Sequence, residues 1–165
     1  MIKKIYIAGP LFSQAEKEFN ERIDKHLRDW GFETFLPQRD GYLLADLMAQ
    51  FSDKQEAIDT IFYKDIEEIK GCDIVLFVLD GRVPDEGACV EVGLAYAYEK
   101  ECIGFKSDSR SLMGDMDNPL LVGVLKGRIA KSISELEKIF KDLVTSQSFD
   151  SRIPAQCHSH TSHES

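Results

Sequence analysis

The residues best suited to chemistry lie in the run Asp85-Glu86-Gly87-Ala88-Cys89-Val90-Glu91. A turn-rich stretch from Asp80 to Glu86 precedes a series of small residues. That pattern predicts a helix starting at Glu86 or Gly87 with Asp85 as its cap. Glu91 then falls in the first two turns, where the positive end of the helix dipole predicts an ionised carboxylate near neutral pH. Gly87 and Ala88, one turn back, and Ala95, one turn on, leave room beside that carboxylate for another molecule. Such a group can attack an electrophilic carbon or stabilise a cation, although acids at helix N-termini are also common without any catalytic duty.

Charge narrows the ligand. The chain of 165 residues carries 20 basic and 29 acidic side chains, a net −9, and the whole surplus falls in residues 40–91. Clustered lysine and arginine are what a polyanion binder needs, so a nucleic acid partner is excluded. A small cationic or polar neutral ligand fits the acidic stretch better. The loop Gly9-Pro10-Leu11-Phe12 is no phosphate cradle: it lacks the Gly-x-Gly-x-x-Gly and Lys-Ser/Thr spacings, and Pro10 removes an amide donor. Cys72, Cys89, Cys102 and Cys157 are too scattered for a zinc or disulfide framework and read as free thiols in a reducing cytoplasm. Cys157, His158, His160 and His163 sit among Ser, Thr and Gln and read as a solvated tail, so no metal site is expected. No apolar run approaches the ~18 residues of a membrane span, and secretion is not expected.

Several elements must position these residues. Ile2 to Ala8 reads as a buried strand ended by Gly9-Pro10, and Ser13 with Glu16 forms a capping-box signature for the helix that follows. Phe32 to Leu36 is a second strand stopped by Pro37. Residues 38–52 fit either a helix or a lid. Ala57 to Lys70 reads as a helix ended by Gly71, and Asp73 to Leu79 as a central strand, apolar on both faces. The small-residue helix from Gly87 to about Glu101 leads to a strand at Cys102 to Phe105. Asn118-Pro119 marks a helix start, Arg128 to Lys131 a short fifth strand, and Ser134 with Glu137 the cap of a last helix. Alternating strands and helices with long connections predict an α/β fold: a doubly wound, Rossmann- or flavodoxin-like, five-stranded parallel sheet with helices on both faces. One domain spans 1–144, and residues 145–165, lacking periodicity, read as a disordered tail. Ligands of such folds sit beyond the carboxyl ends of the strands, which brings Gly9 and Gly87 into view as substrate contacts beside Glu91.

Taken together, Ile5-Tyr6-Ile7-Ala8-Gly9-Pro10-Leu11-Phe12, then Asp65 with Asp73, then Asp85-Glu86-Gly87-Ala88-Cys89-Val90-Glu91-Val92-Gly93 resemble the nucleoside 2-deoxyribosyltransferase family over roughly residues 2–144. The resemblance implies transfer of 2-deoxyribose between nucleobases in nucleoside salvage, with deoxyribonucleosides and free bases as the partners. It makes Glu91 the nucleophile, Tyr6 the group that holds it, and Asp65 the donor or acceptor of the base's proton. Asp85 and Asn118 would hold the sugar hydroxyls, the asparagine coming from a neighbouring subunit of a homo-oligomer. Gln38 and Asp40, after the second strand, are placed to read a base or to form an ordinary polar loop. Cys89, about 200° from Glu91 around the helix, reads as a core thiol. The chemistry asks for no metal or organic cofactor, because a carboxylate alone can meet an oxocarbenium-like sugar and form a covalent ester.

Three alternatives remain at this level. A related family hydrolyses 2-deoxynucleoside 5′-phosphates, with a Ser- and Gly-rich phosphate loop where this chain has Pro10-Leu11-Phe12-Ser13-Gln14. A nucleoside-sensing module without catalysis could use the same fold. The acids could also form no more than a solubilising face.

Overall fold

The computed structural model describes residues 4–110 and 117–150, with side chains to 146. Five parallel strands form one sheet: β1 (Lys4–Ala8), β2 (Glu33–Phe35), β3 (Ile74–Val78), β4 (Glu101–Phe105) and β5 (Ile129–Ala130), in the order β2-β1-β3-β4-β5. The chain reverses its direction of travel across the sheet between β1 and β3, so their carboxyl ends form the crevice where this topology binds ligands. Period-two alternation splits the core. Ile5 and Ile7 face α1 (Gln14–Asp29) and α7 (Ile133–Asp150), whereas Tyr6 and Ala8 face α4 (Lys54–Gly71) and α5 (Glu86–Ala97). Tyr6 therefore points to the side that carries Asp65 and Glu91.

Local chemistry sets the helix ends. Ser13 and Glu16 close the expected capping box on α1. Asp53 accepts from the Gln55 amide and starts α4 three residues before Ala57, while Gly71 is the last helical residue rather than the stop. Pro37 does not merely end a strand; it opens α2 (Pro37–Asp40) from the N1 position. The ambiguous stretch contains α3 (Leu44–Gln50), which buries only Leu47. Helix α5 ends at Ala97, short of Glu101, because Glu99 turns the chain in the left-handed region, a position sequence reading reserves for glycine. Asn118 caps α6 (Pro119–Val124) as expected. The last helix is capped two residues before Ser134: the Ser132 hydroxyl accepts from Glu135 N, and the Glu135 carboxylate accepts from Lys131 N.

Helix α7 runs to Asp150, past the boundary at 144 that loss of periodicity predicts. No glycine or proline interrupts 145–150, and the Thr145 and Ser146 hydroxyls return to carbonyls of the preceding turn. Ile2 at the strand start and the tail cysteine and histidines lie outside the described residues. Cys72, Cys89 and Cys102 are free thiols. Among the described residues no helix is long and apolar enough to cross a membrane, and no His, Cys, Asp and Glu cluster is arranged to hold a metal.

Candidate active site

The β1–β3 crevice brings together residues from three elements. Tyr6, fully buried on β1, donates its hydroxyl proton to Glu91 Oε1 at 2.7 Å. Its ring stacks on Phe35 of β2, centroids 5.3 Å apart, as the parallel register Tyr6↔Phe35 requires. Asp65 comes in from α4, close enough for the same hydroxyl to stabilise its ionised form. An open cleft of about 400 Å³ lies over these groups, lined by Leu44, Phe62, Asp65, Gly87, Val90 and Glu91, a size within the range of small-molecule sites. A larger cleft of about 890 Å³ opens beside Lys106, Asp108 and Asp117 near the ends of β4 and β5. There Lys106 pairs with Asp117 and Asp108 with Arg110. The Tyr6, Asp65 and Glu91 cluster lies at the smaller cleft.

Burial dominates the electrostatics. It pushes the Glu91 carboxyl up to about 8, the Tyr6 hydrogen bond opposing and the charges of Asp65 and Asp85 adding to the rise. The expectation of an ionised Glu91 is corrected here. The dipole acts mainly on the first turn of α5, Glu91 sits in the second, and desolvation outweighs what field remains. Burial likewise raises Asp65 to about 6, against the pull of Lys64 and Tyr6. The Tyr6 hydroxyl is pushed far above its usual range by burial first and Glu91 second, so it stays a donor. A carboxyl that keeps its proton at neutrality beside one that titrates near 6 suits proton exchange with a bound molecule.

The other expected residues divide. Asp85 caps α5 through the Ala88 amide at 2.8 Å and its charge reaches Glu91. Gly87 lines the cleft, and a Cβ there would come 3.2 Å from Asp85 Oδ2. Gly9 lacks a side chain for a packing reason: a Cβ would meet Val78 Cβ at 2.9 Å. Asn118 caps α6, its Oδ1 accepting from the Leu120 amide at 2.9 Å, lies outside the cluster and is exposed. Gln38 and Asp40 do not join the cluster. Gln38 Nε2 donates to the Lys17 carbonyl of α1, and Asp40 accepts from the Leu36 amide and pairs with Arg39. Cys89 packs against the core on the α4–α5 face. Phe35, which the register of β2 on β1 brings beside Tyr6, and Lys64 of α4, whose ammonium lies 5.6 Å from the Phe35 centroid and lowers the Asp65 pKa, escaped sequence reading, because pairing and packing of distant segments place them.

Comparison with known proteins adds the following. A family model described as nucleoside 2-deoxyribosyltransferase matches residues 5–156. A conserved protein from Enterococcus faecalis V583 superposes with a TM-score of 0.70 at 26% identity, over 86% of this chain and 99% of that one. A 2-deoxyribosyltransferase from Bacillus psychrosaccharolyticus gives 0.59 at 26% identity, over 74% and 82%. A CMP N-glycosidase from Clostridium botulinum gives 0.51 at 18% identity, over 84% and 99%, a likeness of fold alone. A sequence comparison with curated proteins finds no match.

Proposed function

The chain belongs to the nucleoside 2-deoxyribosyltransferase family, and from that premise we propose that it moves 2-deoxyribose from one nucleobase to another through a covalent deoxyribosyl-glutamate, in nucleoside salvage. The observation that carries this reading is the Tyr6 hydroxyl donating to Glu91 beside a carboxyl, Asp65, raised to about 6. Glu91, as carboxylate, attacks the anomeric carbon while the N-glycosidic electron pair leaves with the base. Asp65 hands its proton to the departing nitrogen, which makes the base a better leaving group. An incoming base then gives its N–H proton to Asp65, attacks the same carbon and expels Glu91 as carboxylate. Two inversions give net retention. Tyr6 donates to the Glu91 oxygen throughout and holds it in line. Asp85 supplies an acceptor for a sugar hydroxyl with the carboxylate oxygen that α5 leaves free.

A second copy completes the site in this reading. Phe62 and Val90, 48% and 58% exposed, stand at the cleft mouth with apolar atoms uncovered, and Asn118 of such a copy would reach a sugar hydroxyl. Hydrolysis is the competing outcome, with water taking the place of the second base. Incubating the protein with deoxyinosine and adenine separates the two. Deoxyadenosine formed in step with hypoxanthine supports transfer; hypoxanthine and free deoxyribose alone would leave a hydrolase.

A further inference from the structure

Asp65 has a cation beside it that the proposed reaction leaves unused. Lys64, the preceding residue of α4, stands outside the lining of the cleft, and its ammonium is pinned. Glu68, one turn on, accepts from it at 2.7 Å, and the Phe35 ring, stacked on Tyr6, has its centroid 5.6 Å away. Glu68 is fixed in turn: its second oxygen accepts from Lys4 Nζ at 2.6 Å, and its side chain is 16% exposed between the two ammoniums. Burial would raise the Glu68 pKa, but those two partners hold it below the usual range. Lys4 lies two residues before Tyr6 on the same face of β1, and Glu68 three residues after Asp65 on α4. The Lys4–Glu68 bridge therefore docks α4 on β1 one pleat below the meeting of Asp65 with Tyr6. A lone i,i+4 pair serves helix stability and needs neither the tie to a strand nor the aromatic face.

We propose that Lys64 is a positioning residue for Asp65: fixed by Glu68 and Phe35, its ammonium keeps that carboxyl able both to give up and to take back the base's proton, for leaving and incoming bases alike, without touching the substrate. The groups facing Asp65 are Tyr6 of β1, Glu91 of α5, and Lys64 and Glu68 of its own helix. Burial drives Asp65 toward the neutral acid and Glu68 adds to the rise, while the ammonium of Lys64 and the hydroxyl of Tyr6 oppose it. That hydroxyl is already shared with Glu91, and Glu91 and Asp65 repel each other when both are ionised. Lys64 is thus the full positive charge that favours the Asp65 carboxylate. Its own pKa is raised by the Glu68 bond first, with Tyr42 and Glu67 adding, so the charge persists wherever Asp65 titrates. The inference rests on the transferase reading and deepens it by naming the group that tunes its acid.

The test compares wild type with Lys64→Met, which removes the charge, and Lys64→Arg, which keeps it. The Asp65 carboxyl is followed against pH by carbon-13 NMR, its signal assigned by its loss in Asp65→Asn. Over the same range kcat/KM for the donor, which reports base release, is measured with deoxyinosine and with a 7-methylated purine deoxynucleoside. The base of the second leaves without protonation, so the limb seen only with deoxyinosine belongs to Asp65. In Lys64→Met the Asp65 midpoint should rise by about 0.5–1 pH unit and that limb should move up with it, while Lys64→Arg matches wild type. An unmoved midpoint in Lys64→Met overturns the proposal. So does an arginine variant that behaves like the methionine one, or a methionine variant that does not fold, either of which makes Lys64 a packing residue. A midpoint that moves while the limb stays takes the acid role from Asp65, and the proposal with it. Wild-type protein that makes no deoxyadenosine removes the transferase reading itself and this inference with it, whatever the midpoints show.

Discussion

Replacing Glu91 with glutamine should make the protein more stable while abolishing turnover. Burial lifts the Glu91 carboxyl from an ordinary 4.5 to about 8, so the folded state holds that proton more tightly than the unfolded chain does. The sign follows from linkage. A folded-state pKa raised above the unfolded one favours the fold at low pH, and that benefit is lost as pH climbs from about 4.5 through about 8. Glutamine keeps an oxygen for the Tyr6 hydroxyl and has no charge to desolvate, so it escapes the loss. At about 1.4 kcal/mol for each tenfold in affinity, the span caps the difference at ~5 kcal/mol. The carboxyl opens on a wet cleft, and screening there brings the expected gain to about 2 kcal/mol above pH 8, or roughly 4–8 °C in melting temperature. Thermal melts of wild type and Glu91→Gln at pH 5 and pH 8.5 measure it. Near-equal stability at pH 5 and a gap at pH 8.5 are expected. A glutamine variant no more stable at pH 8.5, or a gap that does not widen with pH, would refute the burial argument.

Three further outcomes follow from the same geometry. Tyr6→Phe removes the bond that lowers the Glu91 pKa, so the acidic limb of the kcat/KM profile should move to higher pH, with kcat down about tenfold or more. An unmoved limb would detach Tyr6 from Glu91. Asp65→Asn should slow cleavage of deoxyadenosine about 10²- to 10³-fold yet spare a 7-methylated purine deoxynucleoside, whose base leaves without protonation; equal losses on both would remove the acid role. Gly9→Ala, driving a Cβ to 2.9 Å from Val78 Cβ, should cost about 1–3 kcal/mol in urea denaturation, and an unchanged midpoint would contradict the packing explanation.

The parallel sheet was legible because each strand is a short apolar run and each crossover is long enough for a helix. Asp85 as a cap and Glu91 behind it were legible too, since capping is a local matter settled within one turn. Asp65 was not. Nothing on α4 says which of its polar side chains meets β1, because that depends on how the helix is rotated and slid against a strand far off in sequence. Its apolar neighbours gave a misleading signal as well. Ile58 and Phe62 continue a stripe that looks like core, yet both remain substantially exposed beside the cleft. Gln38 and Asp40 erred in the opposite sense. Polar residues after a strand suggest a ligand loop, but a proline at N1 turned them into a short helix whose side chains are spent on its own cap and on α1.

The misjudged state of Glu91 bears most directly on mechanism. An ionised carboxylate at a helix start would be comfortable in the empty site and would gain little from a developing cation. The buried one is uncomfortable: desolvated, with Asp65 and Asp85 nearby and a single hydroxyl to hold it. In the proposed reaction the charge that Glu91 lacks is the one the sugar acquires as the base departs. Ionisation is therefore disfavoured until oxocarbenium character appears beside it, and the attraction between the two acts in a cleft from which substrate has displaced water. That places the electrostatic gain in the transition state rather than in the bound nucleoside, where it would only tighten binding. The proton shed by Glu91 has a ready carrier in Asp65, already raised to about 6 and due to be spent on the leaving base. In the proposed reaction the acidity concentrated in residues 40–91 thus has a local use that net charge alone does not disclose: Glu91 and Asp65, two carboxyls at one crevice, are both raised by the same burial that costs the fold stability.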